Sequence, residues 1–192
     1  MFKDQTNNQV ATINRRQLLK VGLLASVVCL NPLPVWARSS LLDTPERSLS
    51  LLNTHTGERL KQIVYWEKGA YLPEALLDIN YVLRDHRTDE VYTIDPITLD
   101  LMAALNRKLS ANRPFEIISG YRSPQSNALL RKASNGVARN SYHMKGMAVD
   151  LRLPGVPLKT LRKAALDLRM GGVGYYPKSN FVHVDSGKVR SW

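Results

Sequence analysis

The fold is decided by two short stretches of alternating sequence in the C-terminal half of the chain, MAVDLRL at positions 147–153 and FVHVD at positions 181–185. Successive side chains of a β-strand point to opposite faces of the sheet. Asp150 and His183 therefore lie on the faces opposite to the apolar residues that flank them. If the two strands pair, we expect Asp150 and His183 to face each other, with His143 arriving from the preceding loop.

The rest of the sequence predicts helices and further strands around this pair. Two strands with a turn at Gly57 form a hairpin, and another strand ends at Gly120. Four helices are expected, and the last of them is closed by Gly171-Gly172. The predicted strands are 49–53, 58–65, 115–119, 147–153, 175–176 and 181–185, and the predicted helices are 72–87, 96–109, 123–133 and 158–170. The predicted helices come first, the predicted strands cluster in the C-terminal half of the chain, and the order shows no βαβ repeat. We therefore expect the α+β class, with a small, mostly antiparallel sheet flanked by helices.

Length and charge limit the class of protein. A chain of 192 residues is long enough for one domain with a sizeable core. The net charge is +11, and residues 1–37 hold four basic side chains and one acidic one. The remainder therefore carries +8, which favours an anionic partner such as nucleic acid, anionic lipid or an acidic cell-wall polymer.

The N-terminus has the order of an export signal. Arg15-Arg16 precedes the apolar run Val21–Leu30, which is short for a membrane span. The small residues Val35 and Ala37 stand at positions −3 and −1 relative to an expected cleavage site after Ala37. The paired arginines resemble a twin-arginine signal. We expect a signal peptide at 1–37, a linker at 38–48 and one domain at 49–192. The destination is then the periplasm, with no stable membrane insertion after cleavage and no nucleic-acid partner, although an uncleaved membrane anchor stays open.

Three residues in the C-terminal half suggest a metal site. The only cysteine, Cys29, lies in the signal, so any metal in the exported part must be held by histidine and carboxylate. His143, Asp150 and His183 would give three ligands and an open fourth position, as in catalytic zinc sites. The metal would lower the pKa of a water in the open position toward neutrality, and the resulting hydroxide could attack an amide carbonyl. Gly146 would allow the sharp turn that separates His143 from Asp150.

Several motifs carry a resemblance to a known family. The pattern S-x-H-x-x-G-x-A-x-D at 141–150, followed by a strand histidine, is similar to the metal motif of the D-Ala-D-Ala carboxypeptidase and hedgehog-like zinc peptidases. The segments ISGYRS at 118–123, GGVGYYP at 171–177 and FVHVDSG at 181–187 resemble the murein endopeptidase K family. The resemblance implies zinc held by His143, Asp150 and His183. It also implies hydrolysis, by zinc-activated water, of peptidoglycan cross-links that join two meso-diaminopimelate (mDAP) residues or D-alanine to mDAP.

Roles beyond the metal ligands follow less directly. Arg122 is expected to grip a substrate carboxylate or to stabilise the oxyanion. Tyr121 either binds substrate or packs. The hydroxyl of Ser141, which is also expected near the substrate, would bond the backbone of the ligand loop. The position three residues before the last metal histidine holds a Glu or His in several relatives but Asn180 here, so Asp185 is the candidate proton acceptor. Its alternative role is to orient a ligand imidazole.

Other histidines, tyrosines and activities stay open at this point. We assign no role to His55 or His86, and Tyr175 and Tyr176 either position substrate or line the strand. Two other functions fit the same scaffold: a D,D-carboxypeptidase that trims stem peptides, and a non-catalytic wall-binding module. The absence of an acidic residue or histidine at Asn180 keeps the binding module open.

Overall fold

The structure, a computed structural model, describes residues 42–134 and 136–192. In this part of the chain, one eight-stranded sheet is accompanied by four α-helices and a short 3-10 helix. The strands are β1 (Glu46–Asn53), β2 (Arg59–Glu67), β3 (Ala70–Tyr71), β4 (Phe115–Ser119), β5 (Ala148–Arg152), β6 (Gly172–Tyr176), β7 (Phe181–Asp185) and β8 (Arg190–Ser191). The helices are α1 (Pro73–Val82), α2 (Pro96–Lys108), α3 (Pro124–Ala133), α4 (Leu158–Leu168) and the 3-10 helix Tyr142–Lys145. The predicted signal at 1–37 and residues 38–41 of the predicted linker lie outside the described residues.

The sheet is mostly antiparallel. Its strand order is β3-β2-β1-β4-β5-β7-β6-β8, and only β1 with β4 and β6 with β8 run parallel among the described strands. The predicted α+β class is therefore confirmed. The predicted hairpin is present as β1 and β2, but both strands are longer, because β1 begins at Glu46 and β2 ends at Glu67. The prediction that strands cluster late is wrong, since four of the eight described strands precede residue 120.

Helix α2 begins as the sequence predicts. Pro96 is its first residue, and the Asp95 side chain accepts a hydrogen bond from the backbone N–H of Ile97. This bond satisfies one of the N–H groups that a helix start leaves unpaired. Leu101 and Leu105 on the predicted face are buried. Among the described helices, none has both the length and the apolar character that crossing a membrane requires.

Two helices end earlier than predicted. Helix α1 ends at Val82 because Asp85 folds the following segment into a turn, with its side chain accepting from the backbone N–H of Arg87. Aspartate often competes with helix in this way. Helix α4 ends at Leu168, and Arg169 closes it in the left-handed conformation, with φ of 51°. The glycine pair does not end this helix, since Gly172 already belongs to β6.

Three of the four described α-helices, α1, α2 and α4, cover one face of the sheet. Helix α1 packs on β2, α2 packs on β1, α4 packs on β6 and β7, and α2 and α4 also contact each other. Apolar side chains from the central strands fill this layer, and they include Ile117, Val149, Leu151, Val182 and Val184. The alternate residues of β5 and β7 point to the opposite face. Asp150 and His183 therefore lie on the face of the sheet that points away from this core.

Candidate metal centre

His143, Asp150 and His183 come together as the sequence predicts. Asp150 and His183 are direct partners on the antiparallel strands β5 and β7. Nδ1 of His183 lies 2.8 Å from Oδ1 of Asp150, and Nε2 of His143 lies 3.2 Å from the same His183 nitrogen and 3.3 Å from the same Asp150 oxygen. One nitrogen or oxygen atom from each residue is thus available to a single metal ion.

The loop before β5 positions His143. Ser141 caps the 3-10 helix, and its hydroxyl accepts a hydrogen bond from the backbone N–H of His143 at 3.3 Å. Gly146 ends this turn with φ of +65°, and a Cβ atom at this position would lie 2.1 Å from the carbonyl oxygen of Thr93. The predicted turn at Gly146 is therefore confirmed, and both its backbone angle and its neighbour require glycine.

In each imidazole, the ring nitrogen that faces away from the cluster contacts a hydrogen-bond acceptor. Nδ1 of His143 lies 2.7 Å from the carbonyl oxygen of Gly120, and Nε2 of His183 lies 3.0 Å from Oδ2 of Asp185. A carbonyl or carboxylate oxygen only accepts, so these two ring nitrogens carry the protons. In the neutral rings, the lone pairs of the other two nitrogens then point at the centre of the cluster. This arrangement is typical of metal-binding histidines and fits a metal ion.

The charges of the cluster depend on its burial. Burial lowers the pKa of His143. For Asp150, burial acts to raise the pKa, but the interactions with His143 and His183 outweigh it and hold the pKa below its ordinary value. For His183, burial acts to lower the pKa, but hydrogen bonds to Asp150 and Asp185 raise it to about 9. The carboxylates of Asp150 and Asp185 therefore favour the charged form of His183.

Asp185 is fully buried and already occupied by donors. Besides His183, its carboxylate accepts from both terminal nitrogens of Arg190, at 2.9 and 2.7 Å, and from the backbone N–H groups of Gly172 and Gly187. Burial acts to raise its pKa, but the hydrogen bonds, led by that of His183, lower it. Its side chain does not line the cleft described next. These contacts are those of a residue that orients His183.

A cleft of about 280 Å³ lies in front of the cluster. Its walls include all three cluster residues together with Arg122, Ser141, Tyr142, Tyr176, Arg190 and Trp192. The Arg122 side chain is buried and lies 3.6 Å from Oδ2 of Asp150. Its Nη1 donates to Asn127 at 3.4 Å and its Nη2 to Ser119 at 3.3 Å, while Nε has no hydrogen-bond partner among the described residues. A buried guanidinium with an unused N–H group therefore stands beside the cluster.

Tyr121 stands apart from the cleft. It is buried, its hydroxyl donates to Glu90 at 2.7 Å, and its ring stacks on Tyr92 with centroids 4.7 Å apart. These contacts favour the packing role over substrate binding. Asn180 is an exposed residue of the turn between β6 and β7, with φ of 54°, and it also lies outside the cleft.

His55 and His86 form a pair of their own. Their rings stack with centroids 3.8 Å apart, and neither residue lines the cleft. They therefore contribute nothing to the metal cluster.

Three further groups support the site, and the sequence did not predict their roles. Arg190 holds Asp185, the Gly120 carbonyl holds His143, and Trp192 packs its ring 5.3 Å from that of His183. Arg190 belongs to β8, a strand of only two residues with no alternating pattern, and Trp192 follows that strand directly. The only sequence signal was the row of glycines at 171, 172 and 174, which leaves room for neighbouring side chains.

Comparison with known proteins identifies the family of this chain. Residues 43–192 match the family model described as peptidoglycan L,D-endopeptidase MepK. The peptidoglycan L,D-endopeptidase MepK of Escherichia coli is 45% identical over 180 residues, which covers 93% of this chain and 97% of that protein. The probable peptidoglycan L,D-endopeptidase MepK of Haemophilus influenzae is 43% identical over 181 residues, or 93% of this chain and 95% of that protein. The chain belongs to the family of peptidoglycan L,D-endopeptidases described as MepK.

Proposed function

We propose that this chain is an exported, zinc-dependent endopeptidase that hydrolyses peptide cross-links in peptidoglycan, with His143, Asp150 and His183 as the zinc ligands. One observation carries the proposal. Two imidazole nitrogens and one carboxylate oxygen converge beside an open cleft, and each imidazole has its outer N–H held by an acceptor. Membership of an endopeptidase family supports the same reading.

The ligand set suits zinc. Zinc takes nitrogen and oxygen ligands in a tetrahedral arrangement, and catalytic sites use three protein ligands so that the fourth position stays open. When bound, the ion supplies Lewis-acid polarisation of the scissile carbonyl and acidifies the attacking water. The chain itself fixes the two ring orientations through Gly120 and Asp185, and it keeps Asp150 ionised beside the ligand histidines.

Arg122 is proposed to act on the substrate. Its buried guanidinium borders the cleft next to Asp150. Peptidoglycan stems carry free carboxylates, and amide hydrolysis develops negative charge on the carbonyl oxygen. A guanidinium binds either of these anions well, because its N–H groups are charged and fixed in one plane.

Asp185 is proposed to orient His183 rather than to carry protons. Both of its oxygens already accept hydrogen bonds from charged or backbone groups, and its lowered pKa keeps it ionised at neutral pH. A proton acceptor needs a free path to the water that it activates. Among the described cleft residues, Asp150 is the only one with a side-chain carboxylate.

The proposed bond is the cross-link between two mDAP residues. In that link, the carbonyl comes from an L-centre and the amine from a D-centre, which matches the L,D designation of the family. The link between D-alanine and mDAP joins two D-centres and is proposed as a poorer substrate.

Export to the periplasm is proposed on the sequence alone. The signal features at 1–37, including Arg15-Arg16, support the twin-arginine route, and the charge of the remaining chain suits an anionic wall.

Digestion of defined dimeric muropeptides tests the proposal. The zinc-loaded protein should convert mDAP–mDAP dimers to monomers, and a chelator should stop this reaction. Liquid chromatography with mass spectrometry also separates the alternatives. Loss of terminal D-alanine with dimers left intact would indicate a carboxypeptidase, and wall binding without any product would indicate a binding module. Either of these results would refute the proposal.

A further inference from the structure

Neighbouring tyrosines on β6 lie on opposite faces of the sheet. Tyr175 packs against the hydrophobic core, and the guanidinium of Arg162 lies 5.1 Å from the centre of its ring. Tyr176 lines the cleft that also contains His143, Asp150 and His183. Strand alternation explains this separation. Of these two tyrosines, Tyr176 is therefore the one placed to contact a bound peptide.

The Tyr176 hydroxyl is fixed by a partner that can only donate. Nε1–H of Trp192 donates to the Tyr176 oxygen at 2.8 Å. Indole has no acceptor, so the phenol oxygen must be the acceptor in this bond. The Tyr176 hydroxyl donates to no other group among the described residues. The hydroxyl therefore has one donor to offer at the wall of the cleft.

Backbone hydrogen bonds to β6 and the missing side chain at Gly174 determine the position of Trp192. Its N–H donates to the carbonyl of Val173, and its carbonyl accepts from the N–H of Tyr175. Its ring lies over Gly174, where a Cβ atom would come within 2.8 Å of the indole. Glycine at this cleft-facing position thus leaves the space that the indole needs to reach Tyr176. The pairing of the Trp192 backbone with β6 and the packing of its ring over Gly174 therefore fix the contact between Trp192 and Tyr176.

Tyr176 shares the cleft with Arg122. The two side chains border the same cleft, so one peptide can contact both.

We propose that the Tyr176 hydroxyl, held by Trp192, donates a hydrogen bond to an oxygen atom of the bound stem peptide. This inference rests on the proposed endopeptidase function and adds a substrate-contacting residue to it. The matching acceptor is a carbonyl or carboxylate oxygen, and stem peptides are rich in both. Loss of one such hydrogen bond should change kcat/KM roughly tenfold, which corresponds to about 1.4 kcal/mol.

The test compares two substitutions that each remove one hydroxyl from β6. Tyr176→Phe should lower kcat/KM for the mDAP–mDAP dimer about tenfold, with wild-type zinc content and thermal midpoint. Tyr175→Phe, the control on the opposite face, should keep wild-type kcat/KM. Trp192→Phe should cause a loss in the wild-type background that becomes smaller in the Tyr176→Phe background, because the indole acts through the hydroxyl.

The other outcomes distinguish failure of this inference from failure of the proposed function. Equal activity of Tyr176→Phe and Tyr175→Phe, with an active wild type, overturns this inference and leaves the endopeptidase function standing. Loss of zinc or of thermal stability in Tyr176→Phe would make its role structural and also overturns it. An inactive zinc-loaded wild type refutes the proposed function itself.

Discussion

Asp150 and His183 are direct cross-strand partners, and Oδ1 of the first lies 2.8 Å from Nδ1 of the second. Their neighbours Val149 and Val184 form the adjacent pair of the same register, and both are fully buried. A slip of one residue would turn every side chain of one strand to the other face. The core packing that sets this register therefore also sets the geometry of the metal cluster.

Removal of one ligand should remove the metal. We expect His143→Ala to lose bound zinc and endopeptidase activity together, because two remaining ligands hold zinc poorly. Elemental analysis of the purified protein measures the zinc, and circular dichroism checks that the fold persists. His55→Ala is the matched control, since His55 lies outside the cleft, and it should keep both properties. Stoichiometric zinc in His143→Ala would contradict the assignment.

Substitution of Asp185 distinguishes its two possible roles. We expect Asp185→Asn to bind zinc roughly 10- to 100-fold more weakly, because an amide no longer matches both His183 and Arg190. Competition with a zinc-binding dye measures this affinity. If Asp185 only orients His183, saturating zinc should restore most of the activity. Normal zinc affinity with a large loss of kcat would instead identify Asp185 as the proton acceptor.

Arg122 should require its guanidinium and not only its charge. We expect Arg122→Lys to lower kcat/KM on the order of 100-fold, because lysine cannot form two parallel hydrogen bonds to an anion. A rise in KM would indicate a grip on a substrate carboxylate, and a fall in kcat would indicate stabilisation of the oxyanion. Arg131→Lys, an exposed change on α3, is the control. Wild-type kinetics in Arg122→Lys would exclude both roles.

The sequence was sufficient to predict the parts of the site that depend on strand alternation. Asp150 and His183 alternate with valine and leucine, so their common face followed from the pattern. His143 followed from its place in the motif S-x-H-x-x-G-x-A-x-D at 141–150, and the structure shows that Ser141 caps and Gly146 ends the turn that carries it.

The remaining contacts depend on tertiary structure that leaves no local pattern. Arg190 reaches Asp185 only because the two-residue strand β8 pairs with β6. The early end of α1 depends on Asp85, whose side chain also accepts from the backbone N–H of Ser123, 38 positions away. No helix propensity encodes such a partner, so the sequence predicted a longer helix.

Asp85 should make folding stability sensitive to acid. Burial acts to raise its pKa, but hydrogen bonds, including those from the N–H groups of Arg87 and Ser123, lower it to about 2. A lowered folded-state pKa stabilises the fold above the ordinary pKa near 4, and this contribution is lost as the pH falls toward 2.

We therefore expect Asp85→Asn to reduce the free energy of unfolding by about 2 kcal/mol at pH 6. The difference from wild type should shrink as the pH approaches 2. Urea denaturation over this pH range measures both effects. Asp78→Asn, an exposed change on α1, should alter stability by less than about 0.5 kcal/mol. A difference between Asp85→Asn and wild type that stays constant with pH would contradict this account.

The most direct test of the central claim is anomalous diffraction at the zinc absorption edge from crystals of the zinc-loaded protein. We predict one strong peak about 2.0 to 2.2 Å from Nε2 of His143, a carboxylate oxygen of Asp150 and Nδ1 of His183, with a fourth position open to the cleft. A peak at any other group of residues, or the absence of a peak in the presence of activity, would contradict the claim.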